Sequence, residues 1–419
     1  MKNWIKLDNA AKIFPSVSSK SRTNLFRICF SLIEEVDPKI LQDALNDVIR
    51  RFKVFKQKLK SGLFWNYLEE NKLYPLVEEE SAYLLELFDK YQSRGYLFRI
   101  TYFKNKIGIE MFHVLTDGYG ATQFLKALVY DYLVRKGYDI NHEGKILFDL
   151  ESTYEEKEDS FQKLYKQEKN VDRTEIKSSH LVGTKYSDNY IGVMTGIIPK
   201  NQFKEVIKKY DCSYTQFLCG LVNYCASKLD YMITKSKYPF QIFVPVDLRR
   251  RCPSKTLRNF SMVVKTSIKL DAKYTLEDYI KMSKEQLTEN LKDENLLPRV
   301  AGNVKMEKMF ILRIVPLFIK QIAFKIGYNR MSTVAHSFCI SNLGEVDLPS
   351  DMRKHVTKVT FANGTSNEAP INLGATYYND SIYLTFSCAI LERDFQREFF
   401  RTLSGLGLDI IIESNDLEE

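Results

Sequence analysis

The chain has 419 residues, 44% of them hydrophobic, and carries 61 basic against 53 acidic side chains for a net charge of +8. That length exceeds one ordinary domain and suffices for two cores. The charges are interspersed, without the clustered basic stripe that nucleic-acid binding requires, and seven cysteines without framework spacing or a leader-like start point to reduced thiols in the cytoplasm.

In chain order, residues 38–55 read as a helix. Residues 96–103 and 106–112 then alternate as two strands about a Lys104-Asn105 turn, a hairpin by pattern and turn chemistry. His113 follows where the second strand ends. Residues 122–133 carry apolar side chains at helical spacing, which leaves 116–121 as a strand-to-helix loop, the kind of place where chemistry is held by rigid elements. The stretch 151–177 is highly charged and poor in apolar residues, so it reads as a linker or exposed helix dividing a first domain, 1–175, from a second, 176–419.

In the second half Ser213-x-x-Gln216 is a capping-box pattern opening a helix over 213–229. Cys212, Cys219 and Cys225 lie on or beside it, in no C-x-x-C pair and near no histidine, so no metal site is expected. Strands follow at 241–246, 261–269, 337–341 and 382–387, and this mixture of elements predicts layered α/β (α+β) architecture. Residues 305–330 form the most apolar and basic segment. Its longest uncharged run, 314–319, is far short of the roughly 20 residues of a membrane span. On a helical wheel Lys305, Lys308, Arg313, Lys320 and Arg330 share one side, Pro316 kinks or divides the helix, and a broad apolar face remains. That face either packs on the second domain or docks reversibly, as a peripheral contact, on an anionic membrane.

The segment Phe112-His113-Val114-Leu115-Thr116-Asp117-Gly118 resembles the H-H-x-x-x-D-G signature of the acyltransferases related to chloramphenicol acetyltransferase, alcohol acetyltransferases and the condensation domains of nonribosomal peptide synthesis. Phe112 stands where the first His of that signature would be. Three further stretches carry the resemblance along the chain. Val244-Pro245-Val246-Asp247-Leu248-Arg249 with Leu257-Arg258-Asn259-Phe260 looks like the strand and Asn-bearing segment of the family's second half. Ser341-Asn342-Leu343-Gly344 is similar to its S-N-x-G strand, which crosses between halves, and the opening Trp4 to Pro15 looks like the start of bacterial alcohol acetyltransferase-like proteins.

The resemblance implies two chloramphenicol acetyltransferase-like domains arranged as a pseudo-dimer, with a tunnel between them where donor and acceptor enter from opposite faces. It implies an acyl-CoA-dependent O- or N-acyltransferase with acyl-CoA as co-substrate, no tightly bound cofactor and no acyl-enzyme; no G-x-S-x-G nucleophile motif occurs. His113 would be the general base, since imidazole is the side chain best matched to deprotonating an alcohol or amine near neutrality. Asp117, the other residue of the catalytic motif, would pair with an Arg and fix the loop, and Arg249 is the expected partner. Arg250, Arg251 and Lys255 then fall to the surface. Gly118 and Gly120 would supply a tight turn and a close backbone approach into the helix, through access to positive φ. Ser341 and Asn342 are either oxyanion or substrate contacts or polar residues closing a strand. Of the other histidines, His142, His180 and His355 read as solvent-facing and His336 as packed. Two rival readings stay open: a condensation-like domain fed by an acyl carrier protein, and a non-catalytic member of the fold.

Overall fold

The computed structural model describes residues 4–89, 91–148, 151–165, 176–234, 237–331 and 336–415. The first half is built on a five-stranded sheet in the order Val356–Asn363, Leu25–Leu32, Lys106–Phe112, Phe98–Phe103, Val77–Glu79. The second half is built on a seven-stranded sheet in the order Ser261–Ile268, Phe240–Asp247, Phe338–Glu345, Ile371–Tyr378, Ser381–Cys388, Gly192–Pro199, Ile411–Ser414. Each sheet has its own apolar core. The Val356–Asn363 strand pairs antiparallel with Leu25–Leu32, Phe361 opposite Ile28, although it follows 11 of the other strands in the chain. A division near residue 175 therefore leaves one strand of the first sheet in the second half. The crossing strand is this one and not the Ser341 strand, which stays in the larger sheet, parallel to Ile371–Tyr378 with Ser341 opposite Gly374.

Local chemistry explains where elements start and stop. The first long helix, Pro38–Arg51, is capped by Asp37, whose carboxylate accepts from the Lys39 and Ile40 amides at 2.9 and 3.2 Å, with Pro38 in the first turn. It ends earlier than the expected residue 55, because Phe52 and Phe55 leave helical geometry to pack against Phe124. The hairpin closes at Phe103 opposite Lys106, with Lys104 at a φ of 50°. The next helix, Gly118–Arg135, begins four residues before the expected 122, because Asp117 caps it by accepting from the Gly120 amide. The Tyr214–Lys228 helix carries the full capping box of Ser213 and Gln216.

Two expectations are corrected. Residues 151–165 are packed and do not form an exposed linker: Arg51 holds the buried Glu156 through two bonds of 2.8 and 2.9 Å, and Phe161 enters the second core. The remaining charged stretch, 166–170, lies outside the described residues. The 305–330 segment is divided at Pro316 as expected, but its apolar face does not turn inward. It comprises the end of Asp293–Lys308, then Phe310–Ile314, then Leu317–Met331, with the break ahead of Pro316 where the residue before a proline disfavours helix. Lys320 is buried along with Leu317, donating to the Phe64 carbonyl at 2.7 Å and lying 3.7 Å over the Trp65 ring, whereas Phe310, Phe318 and Ile322 face outward. Among the described residues, no helix is long and apolar enough to cross a membrane.

Candidate active site

A cavity of about 490 Å³ opens between the two halves. Its wall takes His113, Asp117 and Gly118 from the first half and Arg249, Ser341 and Asn342 from the second, so all six residues singled out in the sequence meet there.

His113 leaves the end of the Lys106–Phe112 strand, and its backbone is fixed on both sides. Its amide donates to the Asn24 carbonyl at 3.1 Å, and its carbonyl accepts from the Asn259 side chain at 2.8 Å. The ring sits against Phe26 at 4.6 Å and stacks on Phe14 at 5.4 Å between centroids. Burial between these rings pushes the imidazole pKa below its ordinary value, opposed by the charge of Asp117 and by hydrogen bonding with Asn259 and the Thr116 backbone. The ring is thus neutral at pH 7, the form a proton acceptor needs.

Asp117 faces away from this work. Its carboxylate accepts from Arg249 Nη1 at 2.9 Å and Nη2 at 3.3 Å, from the Phe260 amide at 2.8 Å and from the Gly120 amide at 3.3 Å. The Arg249 guanidinium also donates to Asp247 at 2.9 Å and to the carbonyls of Thr256 and Arg258, and lies 4.5 Å from the centre of the Tyr119 ring. With both partners about 7% exposed in their side chains, this is a buried, many-bonded pair joining the two halves. Thr116 adds a second tie, its hydroxyl donating to the Leu257 carbonyl at 2.5 Å.

Of what was expected of the glycines, the close approach holds at Gly120 and the positive φ does not. Neither Gly118 nor Gly120 has a positive φ. A side chain at Gly120 would put its Cβ 2.2 Å from the Leu257 carbonyl oxygen, so the requirement is close approach of the halves. At Gly118 the obstacle is only the tip of Leu343, at 2.5 Å. Asn342 is also fully engaged: its amide donates to Thr215 and to Tyr377, both at 3.1 Å, and its oxygen accepts from the Gly344 amide. Among the described residues the Ser341 hydroxyl is in contact with the Cys339 thiol at 3.6 Å, so of the two it is the available donor.

The surroundings contain groups that the motif alone did not mark. Asp8 is fully buried, accepts from the Ala11 amide at 2.8 Å and from Asn259 at 3.2 Å, and burial raises its pKa to about 6. The Asn-bearing segment and the opening of the chain, noted for resemblance, thus meet at Asn259 to hold the His113 backbone. Lys126, on the wall-lining side of its helix, interrupts an apolar run in the sequence, and that was its only signal. The other four histidines do not line the cavity; His336 stacks on Phe243, while His142, edge-on to Tyr130, His180, bonded to the Glu368 carbonyl, and His355, tilted against Tyr138, are half-buried where solvent-facing positions were expected. Arg251 and Lys255 pair at the surface with Asp293 and Glu155. Among the described residues no three His, Cys, Asp or Glu side chains come together as a metal site.

No family model matches the chain, and no curated protein matches its sequence. Solved structures do. TRI101 of F. sporotrichioides, solved with coenzyme A and T-2, aligns over 99% of this chain and 100% of its own at a TM-score of 0.62 and 12% identity. Polyketide synthase associated protein 5 from Mycobacterium tuberculosis aligns over 95% and 96% at 0.57 and 13% identity. The starter condensation domain of rhizomide synthetase, solved with C8-CoA, aligns over 96% and 95% at 0.55 and 11% identity. This chain therefore has the chloramphenicol acetyltransferase-like and condensation-domain fold along its whole length.

Proposed function

We propose that the protein is an acyltransferase that moves an acyl group from a thioester, acyl-CoA in the first instance, to an alcohol or amine, with His113 as general base. The observation that carries this reading is the His113 ring in the wall of the cavity between the halves, held neutral by burial and fixed by Asn24 and Asn259, with Asp117 turned away to Arg249. The acceptor O–H or N–H gives its proton to the imidazole as its heteroatom attacks the thioester carbon. The resulting oxyanion is within the chemistry of the Ser341 hydroxyl, a neutral donor at the same cavity wall. Collapse breaks the C–S bond, and the imidazolium returns the proton to the departing thiolate. Asp117, Gly118 and Arg249 are architecture: they lock the His113 loop to the second half. TRI101 and the rhizomide starter domain are described with coenzyme A or an acyl-CoA bound, which supports the same donor class here. A separate carrier protein would present the same thioester, and the assay separates the two sources.

Purified protein incubated with acetyl-CoA and a panel of alcohols, amines and sugars should release free thiol only when acceptor is present, and His113→Ala should abolish it. Release with acetylated carrier protein but not with acetyl-CoA assigns the carrier as donor. No release with either, or unchanged release in His113→Ala, refutes the reading.

A further inference from the structure

Not every cation of the cavity wall has an ion-pair partner. Each of its carboxylates already has a cation: Asp117 and Asp247 share Arg249, Glu345 has Lys200, and Asp347 has Lys145 and Arg353. Two cations of the same wall, Lys126 and Arg250, have no hydrogen bond or ion pair among the described residues. Arg250 is exposed at the rim, where water solvates it. Lys126 is not: it is 7% exposed, on the Gly118–Arg135 helix that begins at the His113 loop. An ammonium taken out of water without an ion pair or hydrogen bond is costly, and burial pulls its pKa down to about 8, against the more distant attraction of Asp347 and with repulsion from Lys145.

From this buried lysine without an ion pair, and resting on the acyl-transfer reading, we propose that the cavity takes a ligand bearing a carboxylate or phosphate, and that Lys126 supplies its counter-charge with Arg250 at the entrance. The lysine is then a specificity residue for one of the two substrates. The ligand-free protein keeps the unpaired charge because the anion completes it, so removing the charge should stabilise the empty protein, whereas a lysine serving the fold would do the opposite.

Calorimetric titrations in the His113→Ala background separate binding from turnover and identify the source of the anion. The probes are two pairs that differ in charge: acetyl-CoA against S-acetyl-N-acetylcysteamine, and 6-hydroxyhexanoate against 1-hexanol. Lys126→Met is expected to weaken the anionic member of one pair about tenfold or more and to leave its neutral counterpart unchanged, Lys126→Arg to retain binding, and ligand-free Lys126→Met to melt higher than the parent. Loss confined to acetyl-CoA makes the anion a donor phosphate; loss confined to the hydroxy acid makes it an acceptor carboxylate. Equal binding by Lys126→Met, absence of binding by all four probes in the parent, or a lower melting temperature of ligand-free Lys126→Met overturns the proposal. Turnover surviving in His113→Ala would refute the acyl-transfer reading without touching these titrations.

A second observation stands independently. Phe310, Ile314, Phe318, Ile322 and Ile326, every fourth residue, are all exposed, Phe310 by 74% and Phe318 by 64%. The tip of a neighbouring hairpin extends the patch with Leu63, 72% exposed, held by the Leu317 amide donating to its carbonyl at 2.8 Å. From Phe310 to Met331 the sequence has no acidic residue, and Arg313 and Lys325 are exposed beside the apolar row. The short Phe14–Val17 helix packs on Leu317–Met331, and Phe14 stacks on His113. The geometry points to docking on an anionic membrane surface, apolar side chains in the interface and cations toward headgroups, beside the wall of the active site. Co-sedimentation with phosphatidylcholine vesicles, with and without 25% phosphatidylglycerol, tests it. Wild type should bind the anionic vesicles preferentially and lose them at high salt, and Phe310→Ser/Phe318→Ser should not bind while keeping its melting temperature and its activity on a soluble acceptor. Equal binding to both vesicles at low salt, or a wild-type dimer that the double variant dissolves, overturns the membrane assignment.

Discussion

Replacing Asp117 by alanine removes four hydrogen-bond acceptances at once: two from Arg249 at 2.9 and 3.3 Å, one from the Phe260 amide at 2.8 Å and one from the Gly120 amide at 3.3 Å. Breaking a buried ion pair from one side costs about 3 to 5 kcal/mol, because the surviving charge stays buried. Arg249 keeps Asp247 and the carbonyls of Thr256 and Arg258, which moves the expectation toward the lower end, while loss of the helix cap adds about 1 kcal/mol. The sum is about 4 kcal/mol, or on the order of 10 °C in melting temperature for a cooperative unit of a few hundred residues. Urea unfolding followed by circular dichroism measures it, and a double-mutant cycle isolates the pair. Arg249→Met alone should also destabilise, whereas the double variant should lose at least about 1 kcal/mol less than the sum of the singles. An Asp117→Ala protein melting within a degree of wild type, or an additive cycle, would refute the claim that this pair joins the halves.

His113→Ala should lower kcat by at least about 100-fold, the lower bound for a working general base, and the acidic limb of the wild-type pH–rate profile should lie below the ordinary imidazole value of 6.5. Gly120→Ala should destabilise by about 1 to 3 kcal/mol in urea melts, because its Cβ meets the Leu257 carbonyl, whereas Gly118→Ala displaces only a leucine tip and should cost less. Asp8 titrates near 6 in the folded chain against 3.8 when unfolded, so the folded state binds the proton more tightly. Through this group stability rises as pH falls from 7 toward 4, by roughly 2 kcal/mol, and Asp8→Asn should remove that rise; identical pH dependence in wild type and variant would contradict it.

The parts of the site that lie close together in sequence were legible there. The hairpin pattern, His113 and the Asp117-Gly118 turn sit within a few residues of one another, and local periodicity is enough to set a histidine at the end of a strand. The meeting of Arg249 with Asp117 spans 132 residues and came from resemblance, since no local rule pairs them. The outward face of Leu317–Met331 was not legible for a physical reason. A helical wheel separates two faces without saying which is covered, and here the Phe64 carbonyl and the Trp65 ring, both from a distant hairpin, bury the lysine. Gly120 shows the same limit: glycine suits both a positive φ and a tight approach, and only the Leu257 carbonyl decides between them.

The strand Val356–Asn363 has a consequence for how the molecule is made. During synthesis the Leu25–Leu32 strand leaves the ribosome early, with Lys106–Phe112 soon available on one side, but its other edge has no partner until residue 363 has emerged. The first half must therefore wait, with a fully buried strand exposed along one edge, while more than 300 residues beyond Leu32 are made, a state open to pairing with other nascent chains. Pairing across more than 300 residues also makes for slow closure. A gene split between the halves should yield a first fragment that folds only when the second is supplied, and the two cores, although separate in space, should be lost in a single transition.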